Sequence, residues 1–146
     1  MTDQVFYDGI VHYCYLLQSV SNRRKWYVGY SLNPIHRLGQ HNGVIEGGAK
    51  ETSKDRPWKL ICCLSGLPNH QQALMWEWAW QKRQLVKRPN GDKTPRYIHR
   101  LIQLLSLYQV TNNAYPTNCL KLSVHIDPSY WSLFQGSSVV LNQPIW

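Results

Sequence analysis

A chain of 146 residues with 43% hydrophobic and 12% aromatic content can bury one core but not two ordinary ones, so one unit with appendages is expected. It contains no run of about 18 or more apolar residues and no charged N-terminal stretch followed by a hydrophobic one, which argues against a membrane-spanning helix and a secretory signal. Fifteen of the 16 Lys/Arg but only five of the eight Asp/Glu fall between Arg23 and Arg100, so that stretch carries +10 and the remainder −2; such a segregated field favours polyanions, nucleic acid first among them.

Residues 12–18 and 26–31 are aromatic and β-rich, and the polar segment Ser21-Asn22-Arg23-Arg24-Lys25 between them predicts a β-hairpin. Asn33-Pro34 supplies a cap and a first-turn proline for a short helix ending near Asn42-Gly43. Residues 43–57 form a loop rich in Gly, Lys, Ser and Thr, longer than most connections and therefore a candidate functional loop. Trp58 to Leu64 reads as a third strand. Gly66-Leu67-Pro68 turns the chain, and Asn69 caps a helix over 70–88, with Leu74, Met75, Trp78, Ala79, Leu85 and Val86 as its apolar face. After the break at 89–95, a helix runs from Pro95 to about Tyr108, and a late strand from Leu120 to Ile126 precedes an aromatic segment around Trp131 and Phe134. The predicted fold is α/β in the α+β sense: a small three-stranded antiparallel sheet flanked by helices, with a C-terminal helix and short β extension. The four cysteines form no C-x-x-C pair, and Cys62 and Cys63 should point to opposite faces of their strand. Neither a disulfide framework nor a zinc site is expected, and a reducing compartment fits.

Spacing points to chemistry. Tyr13-Cys14-Tyr15 precedes Tyr27-Val28-Gly29 across the hairpin, and Asn33 to Gly43 carries Arg37 and, one turn later, His41. Residues four apart share a helix face, so both side chains can address one phosphate. Downstream come Gly47-Gly48-Ala49, Thr52-Ser53, Arg56-Pro57-Trp58, Gly66-Leu67-Pro68 and Glu77-Trp78-Ala79-Trp80-Gln81. From Tyr13 to Gln81 this set resembles the GIY-YIG nuclease superfamily, and within it the branch that provides the catalytic subunit of the eukaryotic endonuclease acting on flaps and four-way junctions.

That resemblance implies a structure-selective DNA endonuclease hydrolysing phosphodiester bonds at branched DNA with one divalent ion, Mg²⁺ or Mn²⁺. It implies catalytic roles for Tyr15, Tyr27, Arg37, His41 and Glu77, with Glu77 the sole carboxylate on the metal. Hydrolysis needs an activated water, neutralised phosphate oxygens and help for the leaving alkoxide, and these groups can supply all three. Arg37 offers a fixed fork of donors for a phosphate; its plain alternative is a surface arginine. His41 can assist a tyrosine or hold a phosphate oxygen, or simply sit at a helix C-terminus favoured by the dipole. Of the two phenols we expect Tyr27 to activate water, hydrogen-bonded through His41 or a metal-bound water, with Tyr15 positioning. Tyr13 shares the strand face of Tyr15 and so competes with it. Gly29 should let substrate or the adjacent helix approach its strand.

Arg23, Arg24 and Lys25 at the hairpin tip, with Lys50, Lys54, Arg56 and Lys59 around the glycine-rich loop, should follow the DNA backbone. For Lys82, Arg83, Lys87 and Arg88 a solvated face is almost as good a reading. Trp76 and Trp80, one turn apart, read as core before base-stacking platforms. The chain divides as a tail 1–9, a nuclease module 10–90, and a helix with β extension 91–146 packed on it. The resembled family continues into a RING-type zinc domain that docks a scaffold subunit; Cys119 is the only cysteine after residue 63, so no such domain is expected and a scaffold partner is disfavoured. The location implied is nuclear in a eukaryote and otherwise intracellular. The competing reading is an inactive or weakly active branched-DNA-binding module of the same fold.

Overall fold

His12–Ser19 (β1) and Trp26–Ser31 (β2) pair antiparallel in the register Tyr15↔Gly29 and Leu17↔Tyr27. The computed structural model describes residues 4–146, so the first three residues of the expected tail lie outside the described residues. Local polar chemistry closes the hairpin: the Ser19 hydroxyl accepts the Asn22 amide at 2.9 Å, and Lys25 N–H reaches the Asn22 carbonyl at 2.9 Å. Trp58–Leu67 (β3) pairs with the other side of β1, leaving β2 as an edge.

The sheet has five strands, not the expected three. Ser123–Ile126 (β4) adds antiparallel to β3, and Val140–Asn142 (β5) adds parallel to β4, giving the order β2-β1-β3-β4-β5. The late strand was legible as a strand, but not that it would satisfy the open edge of β3, whose unpaired amides and carbonyls need a partner.

Both faces of β1 are buried. Cys14 and Leu16 join Val28, Cys62, Leu64 and the helices in one cluster; Tyr15 and Leu17 join Trp58, Leu60 and Cys63 in another. Cys62 and Cys63 therefore do face opposite ways. Pro34–His41 (α1) lies on the second face through Leu38, with Asn33 Oδ1 accepting the His36 amide at 3.1 Å; Gly43, at φ +73, takes the left-handed conformation just past its end. His70–Lys82 (α2) packs on the first face, capped by Asn69 Oδ1 on the Gln72 amide at 3.0 Å. Arg96–Ser106 (α3) buries Ile98, Leu101 and Leu104 against the same cluster.

Two expectations for the second helix fail for tertiary reasons. It stops at Lys82 instead of running to 88, because Arg83 turns extended and the Val86 carbonyl is taken by the His99 and Gln103 side chains of α3. Its buried stripe is Ala73, Trp76, Ala79 and Trp80; of the expected apolar face Ala79 is buried and Met75 and Leu85 pack against the core in part, while Leu74, Trp78 and Val86 remain exposed. Large apolar residues surround this helix on most sides, so periodicity could not select which side meets the sheet. Trp76 and Trp80 are core, at 1% and 0% exposure.

Candidate active site

Tyr15 projects from the second face of β1 beneath α1, where its hydroxyl lies 2.7 Å from His41 Nε2. The imidazole is fully buried, and its Nδ1 lies 2.8 Å from Thr52 Oγ1. The Thr52 hydroxyl has its proton committed to the Ala49 carbonyl at 3.0 Å, so toward the ring it must accept. The chain of bonds thereby sets the tautomer: His41 donates from Nδ1, Nε2 is the lone-pair nitrogen, and the Tyr15 hydroxyl donates into it. Burial, with Arg37 and Arg56 nearby, pulls the His41 pKa down to about 4, so the ring is a neutral acceptor at neutral pH.

This geometry corrects two expectations. The phenol bonded to His41 is Tyr15, not Tyr27. With both ring nitrogens occupied inside the fold, His41 does not reach for a phosphate oxygen, and an uncharged ring draws nothing from the helix dipole. Tyr13 is removed from the competition, since its ring turns toward His125, 6.1 Å away. Gly29 also has a different job from the one expected. The space where its Cβ would stand is filled by the Tyr15 ring itself, not by substrate or a helix.

Tyr27, half-buried on the edge strand, lies beside this pair, its ring 4.9 Å from the His41 ring and 6.5 Å from Tyr15. Burial raises the pKa of both phenols, and the Arg37 guanidinium pulls both back. Arg37 is held in place by one nitrogen, Nη1, which donates to Gln40 Oε1 at 2.8 Å and to the Gly47 carbonyl at 2.6 Å. The guanidinium also hydrogen-bonds the Tyr15 phenol, and the N–H groups left over can serve an anion.

Glu77 arrives from the other side of the edge strand. One turn further along α2, Gln81 Nε2 donates to the Val28 carbonyl at 2.7 Å, which docks this helix against β2. The half-buried Glu77 carboxylate is pushed upward in pKa by desolvation, partly offset by the Tyr30 backbone amide, and its charge is felt by both Tyr15 and Tyr27. Among the described residues its carboxylate enters no ion pair. A desolvated carboxylate without a cationic partner suits a divalent ion. Among the described residues no cluster of three or more His, Cys, Asp or Glu could hold a metal, so water and substrate oxygens would complete the shell.

The basic residues sort more finely than the sequence allowed. Ser21 in the hairpin turn bonds the Asp55 and Arg56 carbonyls, and Val20 N–H bonds that of Pro57, so the two expected DNA-contacting sets meet at one end of the sheet. Arg23, Arg24, Lys25, Lys50, Lys54 and Lys59 are exposed there. Arg56 is committed differently: its Nε donates to the His41 carbonyl at 2.6 Å, and its guanidinium lies over Gly43. Sequence reasoning missed Thr52 because a threonine in a polar loop carries no signal of its own; only its bond to His41 marks it. It also missed Glu51, whose charge raises the Tyr27 pKa.

Thr52 is placed to hold the His41 ring, and the effect of its removal should be readable apart from folding. Thr52→Val leaves the Nδ1 proton unpaired in a buried site, and the expected result is a fall in kcat of about 10-fold or more with little change in KM. Thr52→Ser should retain most of the rate. In the parent protein an NMR titration should place the His41 midpoint near 4 instead of 6.5. Because the folded pKa is depressed, the stability from keeping this ring neutral is full above about pH 6.5 and is lost as pH falls through 4. An unshifted midpoint, or equal rates for the Val and Ser variants, removes the assignment.

Complementary proton donors, acceptors and charges gathered at one sheet edge of an α+β unit are the equipment of a catalytic domain. Residues 11–89, over half of the chain, match the GIY-YIG catalytic domain, and the chain belongs to that family. A protein of Cryptosporidium parvum named structure-specific endonuclease subunit SLX1 homolog is 48% identical over 77 residues, covering 53% of this chain and 19% of its own. The Botryotinia fuckeliana structure-specific endonuclease subunit slx1 is 40% identical over 110 residues, 64% of this chain and 26% of its own. A Trypanosoma cruzi structure-specific endonuclease subunit SLX1 homolog is 38% identical over 123 residues, 82% of this chain and 23% of its own. The chain thus spans between about a fifth and a quarter of the length of these relatives.

Proposed function

We propose that this protein is a structure-selective DNA endonuclease that hydrolyses a phosphodiester at branched DNA with one divalent ion. The observation that carries the reading is the buried Tyr15–His41–Thr52 hydrogen-bond chain, next to which Arg37 and Glu77 act on the same phenols. Tyr15 is the phenol coupled to a base, so the proton path runs through it. As water gives a proton to Tyr15 Oη, the Tyr15 proton passes to His41 Nε2, and the hydroxide formed attacks phosphorus while the P–O bond to the departing strand breaks. Thr52 holds the ring in the accepting tautomer, and Arg37 and Arg56 keep the imidazolium short-lived; its proton leaves through Tyr15 Oη to solvent, and the departing alkoxide takes a proton from water. The free N–H groups of Arg37 neutralise the non-bridging oxygens as charge builds on them. Glu77 would hold the divalent ion, Mg²⁺ or Mn²⁺ by the preference of both for oxygen ligands, and such an ion would supply Lewis acidity at this site. Tyr27 lines the approach from solvent and packs the His41 ring.

The relatives are named as subunits, and a partner subunit belongs to the proposal. Because the chain spans between about a fifth and a quarter of its relatives' length, the lack of clustered zinc-ligand cysteines in it says nothing against such a partner. No described helix is long and apolar enough to cross a membrane. Access to chromosomal DNA gives the proposed location, nuclear in a eukaryote and otherwise intracellular. Cleavage of a labelled panel of linear duplex, flap, fork and four-way junction, with and without Mg²⁺, tests the whole reading. Branched substrates should be cut at least ~10-fold faster than linear duplex, and only with metal. Equal rates on linear and branched DNA would overturn the substrate class, and no cutting of any substrate would overturn the activity.

A further inference from the structure

Trp26 and Tyr27 are neighbours on the edge strand, so their side chains leave on opposite faces. Tyr27 looks toward His41 and Tyr15. Trp26 looks the other way and meets Tyr97 of α3, their ring centroids 6.2 Å apart. This contact joins the hairpin tip to the start of α3 and leaves a cleft of about 500 Å³, lined by Arg23, Arg24, Lys25, Arg88 and Arg96 over the Tyr97 ring. Five cations converge there from three segments of the chain, and no acid lines the cleft. Among the described residues the one ion pair is Asp8–His12, so none of the five is neutralised by a carboxylate. Asp92, whose carboxylate Thr94 holds, acts on Arg88 from outside the cleft lining, which leaves the five cations with a large net positive charge.

Other arginines in the region are spent on structure. Arg83 Nη1 donates to the Val110 carbonyl at 2.5 Å, and Arg100 Nη1 to the Trp80 and Gln81 carbonyls at 2.8 and 2.7 Å. Arg88 is tethered through a single nitrogen to the Thr94 carbonyl, which holds the side chain at the cleft with its other donors free, and Arg96 is exposed with its guanidinium 5.7 Å from the Tyr97 ring. A fold that collects uncompensated like charges pays electrostatic repulsion for it, and a polyanion relieves that repulsion.

We propose that this cleft binds the phosphate backbone of a second arm of the branched DNA, Arg88 and Arg96 completing with the hairpin tip a site separate from the catalytic face. The claim rests on the nuclease reading and deepens it. The cleft opens on the Trp26 side of the edge strand, whereas Tyr27 and His41 meet on its other side, so the two contacts can be filled by different arms. A branched duplex can lay one arm on each and gain avidity from the second contact. Selectivity for branches then arises from shape and charge, with no base read.

The test is the double variant Arg88→Gln/Arg96→Gln, with Arg88→Lys/Arg96→Lys as the charge-retaining control, titrated without Mg²⁺ against a labelled four-way junction and a linear duplex of equal arm length. Both side chains are exposed or only tethered, and an unchanged melting temperature checks the fold. The neutralised variant should bind the junction about 10-fold or more weakly with its salt slope reduced by about 2, and lose less than ~3-fold on linear duplex. The Lys variant should bind both as the parent does. Comparable losses on both DNAs, or no loss on the junction, overturn the second-arm site. Because the readout is binding without metal, failure of the parent protein to cut any DNA would sink the nuclease reading and leave this comparison to be judged separately.

Discussion

Glu77→Gln is expected to reduce DNA cleavage by about 10³-fold or more while leaving DNA binding in Mg²⁺-free buffer within about twofold of the parent. The amide keeps the volume and removes the charge. Glu77 is half-buried, raised in pKa by desolvation and without a cationic partner among the described residues, so the substitution should not destabilise the fold and relieves the cost of an unpaired, partly buried charge. Cleavage should fall because the amide removes the charge that would hold the ion, and among the described residues no cluster of three or more His, Cys, Asp or Glu stands in its place. Single-turnover cleavage of a flap across a Mg²⁺ and Mn²⁺ series, read beside a binding isotherm, separates the two effects. Near-normal cutting by the variant would remove Glu77 from the metal; a parallel loss of metal-free binding would make it a structural residue.

Gly29→Ala should be nearly as damaging, although the residue touches no substrate. A Cβ at this position collides with Oη and Cζ of Tyr15. That ring is 1% exposed and packed with Leu17, Trp58, Leu60 and Cys63, so it has nowhere to retreat except away from His41. Overpacking of this kind costs about 1–3 kcal/mol of stability. A displacement of about 1 Å at the proton path costs about 10²-fold in rate. The variant is expected to show both, by urea denaturation and by single-turnover kinetics on a flap. Combining it with Tyr15→Phe gives a sharper check. The double variant should be no slower than Tyr15→Phe alone, since both changes break one hydrogen bond. Additive rate losses would mean that Gly29 acts on something other than Tyr15.

What short-range physics governs could be read directly from the residues: the hairpin from its alternating aromatics and polar turn, both main helix starts from Asn33-Pro34 and Asn69, and the opposite faces of Cys62 and Cys63 from strand periodicity. The resemblance that names Tyr15, Tyr27, Arg37, His41 and Glu77 for chemistry also rests on spacing, which a linear string preserves. Tertiary structure decided which partners they take. His41 meets Thr52 eleven positions on and Tyr15 twenty-six positions back, and only the packing of α1 on the sheet selects Tyr15 over Tyr27 and sets the tautomer. The face of α2 that is buried, its end at Lys82, the two added strands and the cleft joining Arg23 to Arg96 were likewise settled by contacts between distant segments. Caps, turns and periodicity are energies of a few neighbouring residues; a choice among several apolar faces or several phenols depends on what the rest of the chain brings against them.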